Sequence, residues 1–279
     1  MSAVLTDVPE TKPWALRELP AFPSITTKLL QLLSSSDTQV NKLVDLLRSD
    51  AALSAELLRR ANSALYGFRS QVGSLQHAVM LLGFDQMKSL AMAVSMGAYL
   101  KSALRIAALR RCWRHSLATA LVAEQLARHM KLDPDGAYTA GLLHDIGLLG
   151  LMVNYPEAYS EMLVVGSENA FDIRTVERAQ FDVDHCEAGA WLAQQWNFPE
   201  EIQQAAARHH EKPADDHSSL TACIYWSSRL ADALGFLVNP TPDLHAYADL
   251  REIMPGGKAI PENPSEWKTS IGAKVDGFE

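Results

Sequence analysis

The amino-acid sequence predicts an all-α protein, a multi-helix bundle, on the basis of two observations. Apolar residues recur every three or four positions along most of the chain, which is the spacing of one buried helix face. No stretch alternates apolar and polar residues for longer than about four positions, as a half-buried strand would. The sequence also lacks a heptad repeat, so we expect many short helices rather than a coiled coil.

Capping residues delimit the helices predicted in the first hundred residues. Ser24 and Asp50 stand where N-caps are expected, just before the apolar residues of two helices. The helix that Asp50 begins is expected to end near Asn62. Another helix is predicted between Ser74, as its N-cap, and Gly83, which suits the C-terminal end. The next helix is expected from Asp85 to about Leu100. Four methionines of this region are expected to fill the core: Met80, Met87, Met92 and Met96.

Composition divides the chain into three predicted parts. Arg105, Arg110 and Arg111 interrupt the apolar pattern and mark a soft boundary, and proline and glycine become frequent after Gly235. The parts are 15–105, an N-terminal helical half; 106–236, a helical core; and 237–279, a Pro/Gly-rich tail. Helical spacing continues through the segments 102–109, 112–129, 137–149, 157–167, 173–181, 185–196, 200–209 and 218–234. Within the tail, residues 267–275 are expected to form a short helix that packs back on the body.

Charge and cysteine content exclude several classes of function. The 25 Lys and Arg and 33 Asp and Glu give a net charge of −8, which disfavours general nucleic-acid binding. The helix-glycine-helix pattern at 74–90 does not change this, since Lys88 is the only cation between residues 71 and 100. Three scattered cysteines without a CxxC pair and a non-hydrophobic N-terminus predict a reduced, cytoplasmic protein. No membrane span is expected, because no run of about 18 apolar residues exists.

The histidines are the unusual feature of the composition, nine in a chain with only three cysteines. The string GLLHDIG at 141–147 places His144 beside Asp145 among apolar residues and glycines. On a helix, adjacent side chains project about 100° apart, so both reach one cation only at the edge of a shared face. A buried, ionised Asp145 needs a partner, which can be a metal, an arginine or a backbone N–H.

Further candidate ligands are spread over several predicted helices. They are His115, His185, His209, His210 and Asp232. All-α proteins build metal sites in a bundle core from such residues on facing helices. Imidazole and carboxylate donors suit Mn, Fe, Ni or Zn, and carboxylate-rich variants suit Mg, so a divalent metal is one candidate partner for these residues. The histidines outside this pattern, expected at the surface or at helix caps, are His77, His129, His217 and His245.

In this order, the candidate ligands resemble those of the HD-domain metal-dependent phosphohydrolase superfamily. The first half of the chain narrows the resemblance to the HDOD family, the HD-related output domain of bacterial signalling proteins. The strings that carry it are LPAFP at 19–23, SDAAL at 49–53, RANS at 60–63, SLQHAVMLLG at 74–83, CWRHS at 112–116 and FDVDH at 181–185. The resemblance covers roughly residues 18–236. It implies an N-terminal helical subdomain packed on an HD-like helical core.

The resemblance also implies roles for the candidate ligands. A principal metal would be held by His115, His144, Asp145 and Asp232, and a second metal by His185, His209 and His210. Two features depart from active relatives. Leu148 follows the His-Asp-Ile-Gly string where active relatives commonly have lysine. Residues 211–216 lack the Gly-Tyr-Pro element of relatives that cleave cyclic di-GMP.

Two functions therefore stay open from the sequence. The first is a regulatory signalling module that acts through a protein partner, with the His/Asp cluster holding a metal or forming a polar network. The missing lysine and the mainly regulatory character of HDOD relatives favour this interpretation. The second is a metal-dependent phosphohydrolase acting on a nucleotide or related phosphoester, which the complete ligand set supports.

Overall fold

The structure, a computed structural model, describes residues 11–19, 22–33, 40–63, 66–68, 71–169, 171–213, 219–239 and 245–278. Within these ranges the chain forms α-helices and short 3-10 helices and no β-strand, so the predicted all-α class is confirmed. His217 and part of the string at 19–23 lie outside the described residues.

Along the chain, the described helices have the following order. A 3-10 helix at Trp14–Leu16 precedes α1 (Ser24–Leu33), α2 (Val40–Arg48), α3 (Ala51–Ala61), α4 (Leu75–Leu82) and α5 (Phe84–Tyr99). A 3-10 helix at Ala103–Arg105 leads to α6 (Ala107–Met130), α7 (Pro134–Leu143), α8 (Ile146–Asn154), α9 (Pro156–Asn169) and α10 (Ile173–Phe181). The remaining helices are α11 (His185–Gln195), α12 (Glu200–Arg208), α13 (Leu220–Ala233), α14 (Tyr247–Ile253), a 3-10 helix at Gly257–Ala259 and α15 (Pro264–Asp276).

The predicted caps of α3 and α4 are confirmed. The Asp50 carboxylate accepts a hydrogen bond from the Leu53 amide, 2.9 Å away, and the Ser74 hydroxyl accepts one from the His77 amide at 3.1 Å. Each cap satisfies an amide that has no partner within its own helix. Gly83 ends α4 at φ +88°, a left-handed conformation that favours glycine.

A central group of helices holds most of the core. The long helix α6 packs along α7 and α13, and α11 packs against α8 and α12. Helix α5 contacts both α1 and α7, and so connects the N-terminal helices with this group. Buried apolar side chains from Ala15 to Val275 form one cluster. The division into parts at residues 105 and 236 stays a prediction.

The predicted separation of 102–109 from 112–129 is wrong. Ile106 is extended, at φ −86° and ψ 123°, and α6 then runs unbroken for 24 residues. Arg110 and Arg111 interrupt the apolar pattern without interrupting the helix, because both are exposed and arginine is a good helix former.

The single helix predicted over 137–149 is also wrong, since the chain turns at His144 and Asp145. Asp145 has φ −95° and ψ 25° and precedes the first residue of α8. Its carbonyl oxygen accepts a hydrogen bond from the Leu149 amide at 2.9 Å, so a new helix begins there. Because the helix is interrupted here, the direction of the Asp145 side chain is not set by the 100° step between adjacent residues of a helix.

The C-terminal part contains more helix than the sequence predicts. The short helix expected at 267–275 is confirmed by α15, and its Trp267 is 4% exposed and donates to Gln125 on α6 at 2.9 Å. Helix α14, which the sequence did not predict, also lies here. The methionine prediction is right for Met87, Met92 and Met96, each 0% exposed. It is wrong for Met80, which is 71% exposed because it faces away from the bundle on α4.

Within Pro134–Asn154, an 18-residue window has a mean hydropathy of 1.3, so this stretch is long and apolar enough to cross a membrane. The structure buries 89% of that window inside the protein, which is the behaviour of core helices. All three cysteines are buried and free, as small apolar core residues are expected to be.

Candidate metal centre

Turns and helix ends bring the candidate ligands together at the middle of the bundle. His115 lies within α6, and His144 and Asp145 form the turn between α7 and α8. His185 is the first residue of α11, and His209 directly follows α12. Each of these residues is at most 4% exposed.

The first group of donors comprises His115, His144 and Asp145, whose ligand atoms lie within 4.8 Å of one another. His144 directs Nδ1 to the Gly141 carbonyl at 2.7 Å, which leaves Nε2 facing the cluster. That Nε2 lies 3.2 Å from Oδ2 of Asp145. A carbonyl partner on Nδ1 fixes the tautomer and orientation of a ligating histidine.

The second group comprises His185, Cys186, His209 and His210, again within 4.8 Å of one another. Asp145 joins the two groups, since its Oδ1 lies 3.1 Å from Nε2 of His209 and 3.9 Å from Nε2 of His185. The Nε2 atoms of His185 and His210 are 2.9 Å apart. The sequence interpretation did not count Cys186 as a donor, because its place beside His185 in the chain says nothing about where the thiol points.

Asp232 does not join either group. Its carboxylate lies 3.3 Å from Nδ1 of His115, an atom that also contacts the Phe236 carbonyl at 2.8 Å. On the other side of the ring, Nε2 of His115 is 3.2 Å from the Ser228 hydroxyl. Asp232 therefore contacts the Nδ1 side of the His115 ring and does not face the other donors of the cluster.

Glu177 contacts the cluster and is absent from the candidates that the sequence offers. It is fully buried on α10, and one carboxylate oxygen accepts from both the amide and Nδ1 of His185, at 2.9 and 2.6 Å. The Tyr159 hydroxyl donates to the other oxygen. The sequence does contain a sign of this buried carboxylate. Glu177 lies four residues from both Ile173 and Phe181, on the apolar face of its helix.

Two close contacts between helices determine where the residues of the cluster lie. A Cβ on Gly141 would lie 2.8 Å from the Ala120 Cα, so this glycine sets how closely α7 approaches α6. Gly147 does the same between α8 and α11, where its Cα faces the backbone of His185 and Gly189. The glycines of the GLLHDIG string therefore place the histidine and aspartate between them.

Burial and mutual contacts set the charge of the central donors. Burial raises the pKa of Asp145, but His144 and His209 outweigh it and hold that pKa well below its usual value. Burial lowers the pKa of His209 to about 4, and burial with the neighbouring histidines lowers that of His210 well below its usual value. An ionised carboxylate and neutral imidazoles are the protonation states that bind metal ions.

The two outer histidines are held by carboxylates. Burial opposes protonation of His185, but Glu177 raises its pKa well above the usual value. For His115, Asp232 likewise outweighs burial and raises the pKa to about 9. Carboxylate–histidine pairs of this kind orient the ligands of metal sites, and metal binding there releases the ring proton.

The residues present fit a divalent metal. Nε2 of His144 and Nε2 of His209 are fully buried and make no hydrogen bond of acceptable geometry within the described part of the chain. Leaving buried polar nitrogens unsatisfied is unfavourable by about 1–3 kcal/mol each. Both nitrogens lie beside the ionised Asp145, so a cation among these three side chains would satisfy all of them.

Comparison with known proteins identifies the family of the chain. The model of the HDOD domain family matches residues 19–212, which is more than half of the chain. The chain belongs to the HDOD family. Among curated proteins, an uncharacterized protein of Treponema pallidum (strain Nichols) is 27% identical over 230 residues, 81% of this chain. The chain spans only 44% of the length of that relative.

Solved structures share the HDOD fold along almost the whole chain. An HDOD domain protein with unknown function from Geobacter sulfurreducens is 23% identical, with a TM-score of 0.75 and 94% of each chain covered. A provisionally named phosphohydrolase from Shewanella amazonensis SB2B is 25% identical, with a TM-score of 0.67, and the match covers 95% of this chain and 96% of that one. A provisionally named signal transduction protein from Marinobacter aquaeolei VT8 has a TM-score of 0.75 at 23% identity, over 97% of this chain and 62% of its own.

Proposed function

We propose that this protein is a regulatory signalling module of the HDOD type, in which the His/Asp cluster holds a divalent metal in a closed site. His115, His144, Asp145, His185, His209 and His210 would supply the ligands, with Asp232 and Glu177 orienting His115 and His185. The donor set suits Mn, Fe, Ni or Zn better than Mg, because it contains more imidazole than carboxylate. When bound, the metal would supply a positive charge that ties five helices together.

Burial is the observation that supports a closed site. His144, His185 and His209 are each 1% exposed, and Asp145 is 4% exposed. A catalytic metal keeps one position open for water or substrate, whereas a structural metal is enclosed by protein ligands. Leu148, 2% exposed, also places an apolar side chain next to the turn where active relatives carry lysine.

A partner protein is the proposed recipient of the signal. Met80 and Leu81 are adjacent on α4 and are 71% and 41% exposed, which supports a protein contact at this helix. The net charge of −8 and the single cation between residues 71 and 100 disfavour nucleic acid as that partner. The cytoplasm is the proposed location, because the three free cysteines fit a reducing compartment.

Phosphohydrolase activity is the second candidate, and the complete set of donors favours it. The Shewanella relative named for this activity is similar over nearly the full length of the chain. A divalent metal would polarise a phosphoryl oxygen and lower the pKa of a water molecule. His210, which is only partly buried, is the donor through which a phosphoester would approach.

An activity screen distinguishes the two candidates. The purified chain is assayed with phosphodiester, phosphomonoester and cyclic-nucleotide substrates in the presence of Mn or Mg. The regulatory proposal expects no hydrolysis above that of Asp145→Asn. Turnover by the wild type that disappears in Asp145→Asn, and persists in the exposed control Asp249→Asn, would instead establish the phosphohydrolase.

A further inference from the structure

A second cavity lies away from the His/Asp cluster, between α3, α5 and the beginning of α6. Its volume is about 910 Å³, which is within the range of small-molecule sites. Apolar side chains form part of the wall, among them Leu53, Val94, Leu104 and Trp113. We call this cavity the α3–α6 cleft.

Cations are concentrated around the α3–α6 cleft although the protein as a whole is acidic. They are Arg59, Arg60, Lys101, Arg105 and Arg110. Among the residues that the structure describes, the carboxylates that line the same cleft are Asp50 and Glu56, so the described lining has a surplus of three positive charges. Clefts lined by charge of one sign focus the field on an oppositely charged ligand.

The acidic groups of the cleft are already engaged, whereas several of its cations are available. Glu56 pairs with Arg59 and Arg60, both at 2.6 Å. Lys101, Arg105 and Arg110 form no ion pair with any residue that the structure describes, and all three are exposed. Three cations that can turn toward one cavity suit a ligand with several negative charges.

The start of α6 adds to the attraction for an anion at this place. Leu104 and Arg110, which line the cleft, flank the first turn of the helix. Ile106 provides no side-chain cap, and that turn contains no acidic residue. The positive end of the helix dipole is therefore not offset by an acidic side chain of this turn, and it lies close in sequence to Arg105 and Arg110 of the cleft.

We propose that the α3–α6 cleft binds a nucleoside di- or triphosphate as a regulatory ligand. The phosphates would contact Lys101, Arg105 and Arg110, and the base would lie against the apolar wall that includes Trp113.

Trp113 precedes His115 by two residues on α6, so the two side chains project about 200° apart. Trp113 faces the cleft, and His115 faces the metal cluster. Ligand binding would thus bear on the helix that carries a cluster residue. The proposal does not depend on the proposed function of the cluster.

Calorimetric titration of the full-length protein with ATP, GTP and inorganic pyrophosphate tests this proposal. We expect at least one of the two nucleotides to bind, and pyrophosphate to bind about tenfold or more weakly, because it leaves the apolar wall uncovered. The double variant Arg105→Gln/Arg110→Gln should weaken nucleotide binding by about tenfold or more for each cation removed. Both positions are exposed, so the variant is expected to fold.

The matched control is Lys42→Gln/Lys258→Gln, which removes the same charge from exposed positions outside the cleft and should bind like the wild type. Three results would each overturn the proposal. They are no binding of either nucleotide, equal binding of pyrophosphate, and unchanged affinity in the Arg105→Gln/Arg110→Gln variant. The third of these results, together with loss of binding in Asp145→Asn, would place the nucleotide at the metal cluster.

Discussion

Substitution of Gly147 by alanine should both destabilise the fold and disturb the metal centre. An added Cβ would overlap the His185 carbonyl oxygen and the Gly189 amide nitrogen and would lie 2.9 Å from the Gly189 Cα. These are backbone atoms of α11, which cannot move aside as a flexible side chain can. Overpacking destabilises proteins by about 1–3 kcal/mol, and we expect the upper end of that range here. For a chain of this size that corresponds to a decrease in Tm of about 6–10 °C.

Thermal and urea denaturation followed by circular dichroism measure this effect, with Gly272→Ala as the matched control. Gly272 lies within α15, where a Cβ would be in ordinary van der Waals contact with Phe236 Cζ at 3.9 Å. Removing a helical glycine there should stabilise the protein by about 0.5–1 kcal/mol. A free energy of unfolding for Gly147→Ala within about 0.5 kcal/mol of the wild type would refute the close packing of α8 on α11.

Three further predictions concern charge and metal. Glu177→Gln keeps the size of the side chain but removes the charge that orients His185, so metal affinity in a competition with a chelator should fall about 10–100-fold. Hydrogen bonds from Arg59 and Arg60 lower the pKa of Glu56 from 4.5 to about 2. The ionised Glu56 therefore stabilises the folded protein above pH 4.5, and this stabilisation is lost as the pH falls toward 2. The difference in unfolding free energy between wild type and Glu56→Gln, measured in urea, should shrink over that interval; a constant difference would contradict the ion pair. Removal of metal by a chelator should lower Tm by about 5–10 °C, because a ligand at a hundred times its Kd stabilises by about 2.7 kcal/mol. An unchanged Tm in protein shown to contain metal would contradict a structural role.

Much of the fold could be predicted because helix boundaries depend on local chemistry. The caps of α3 and α4 follow from Asp50 and Ser74, whose side chains satisfy amides only a few residues away. The break at Asp145 could not be predicted in this way. Asp145 contacts His209, which is distant in the sequence, and the apolar spacing of the chain continues through the break without change.

The members of the candidate site could be named from the sequence, but their arrangement could not. Asp232 has the residue type and position of a ligand, yet the packing of α13 on α6 places it behind His115. Glu177 and Cys186 belong beside the cluster only because α10, α11 and α12 converge there. Such relations between helices depend on tertiary packing, which the periodicity of any one helix does not record.

Elemental analysis of protein purified without a chelator shows whether the His/Asp cluster holds a metal. We expect one or two divalent metal ions per chain in the wild type and almost none in Asp145→Asn, with Asp249→Asn unchanged. Circular dichroism of Asp145→Asn shows whether that variant is folded when its metal content is measured. Almost no metal in wild-type protein from metal-supplemented cells would contradict the proposed metal site and leave the cluster as a network of buried polar side chains.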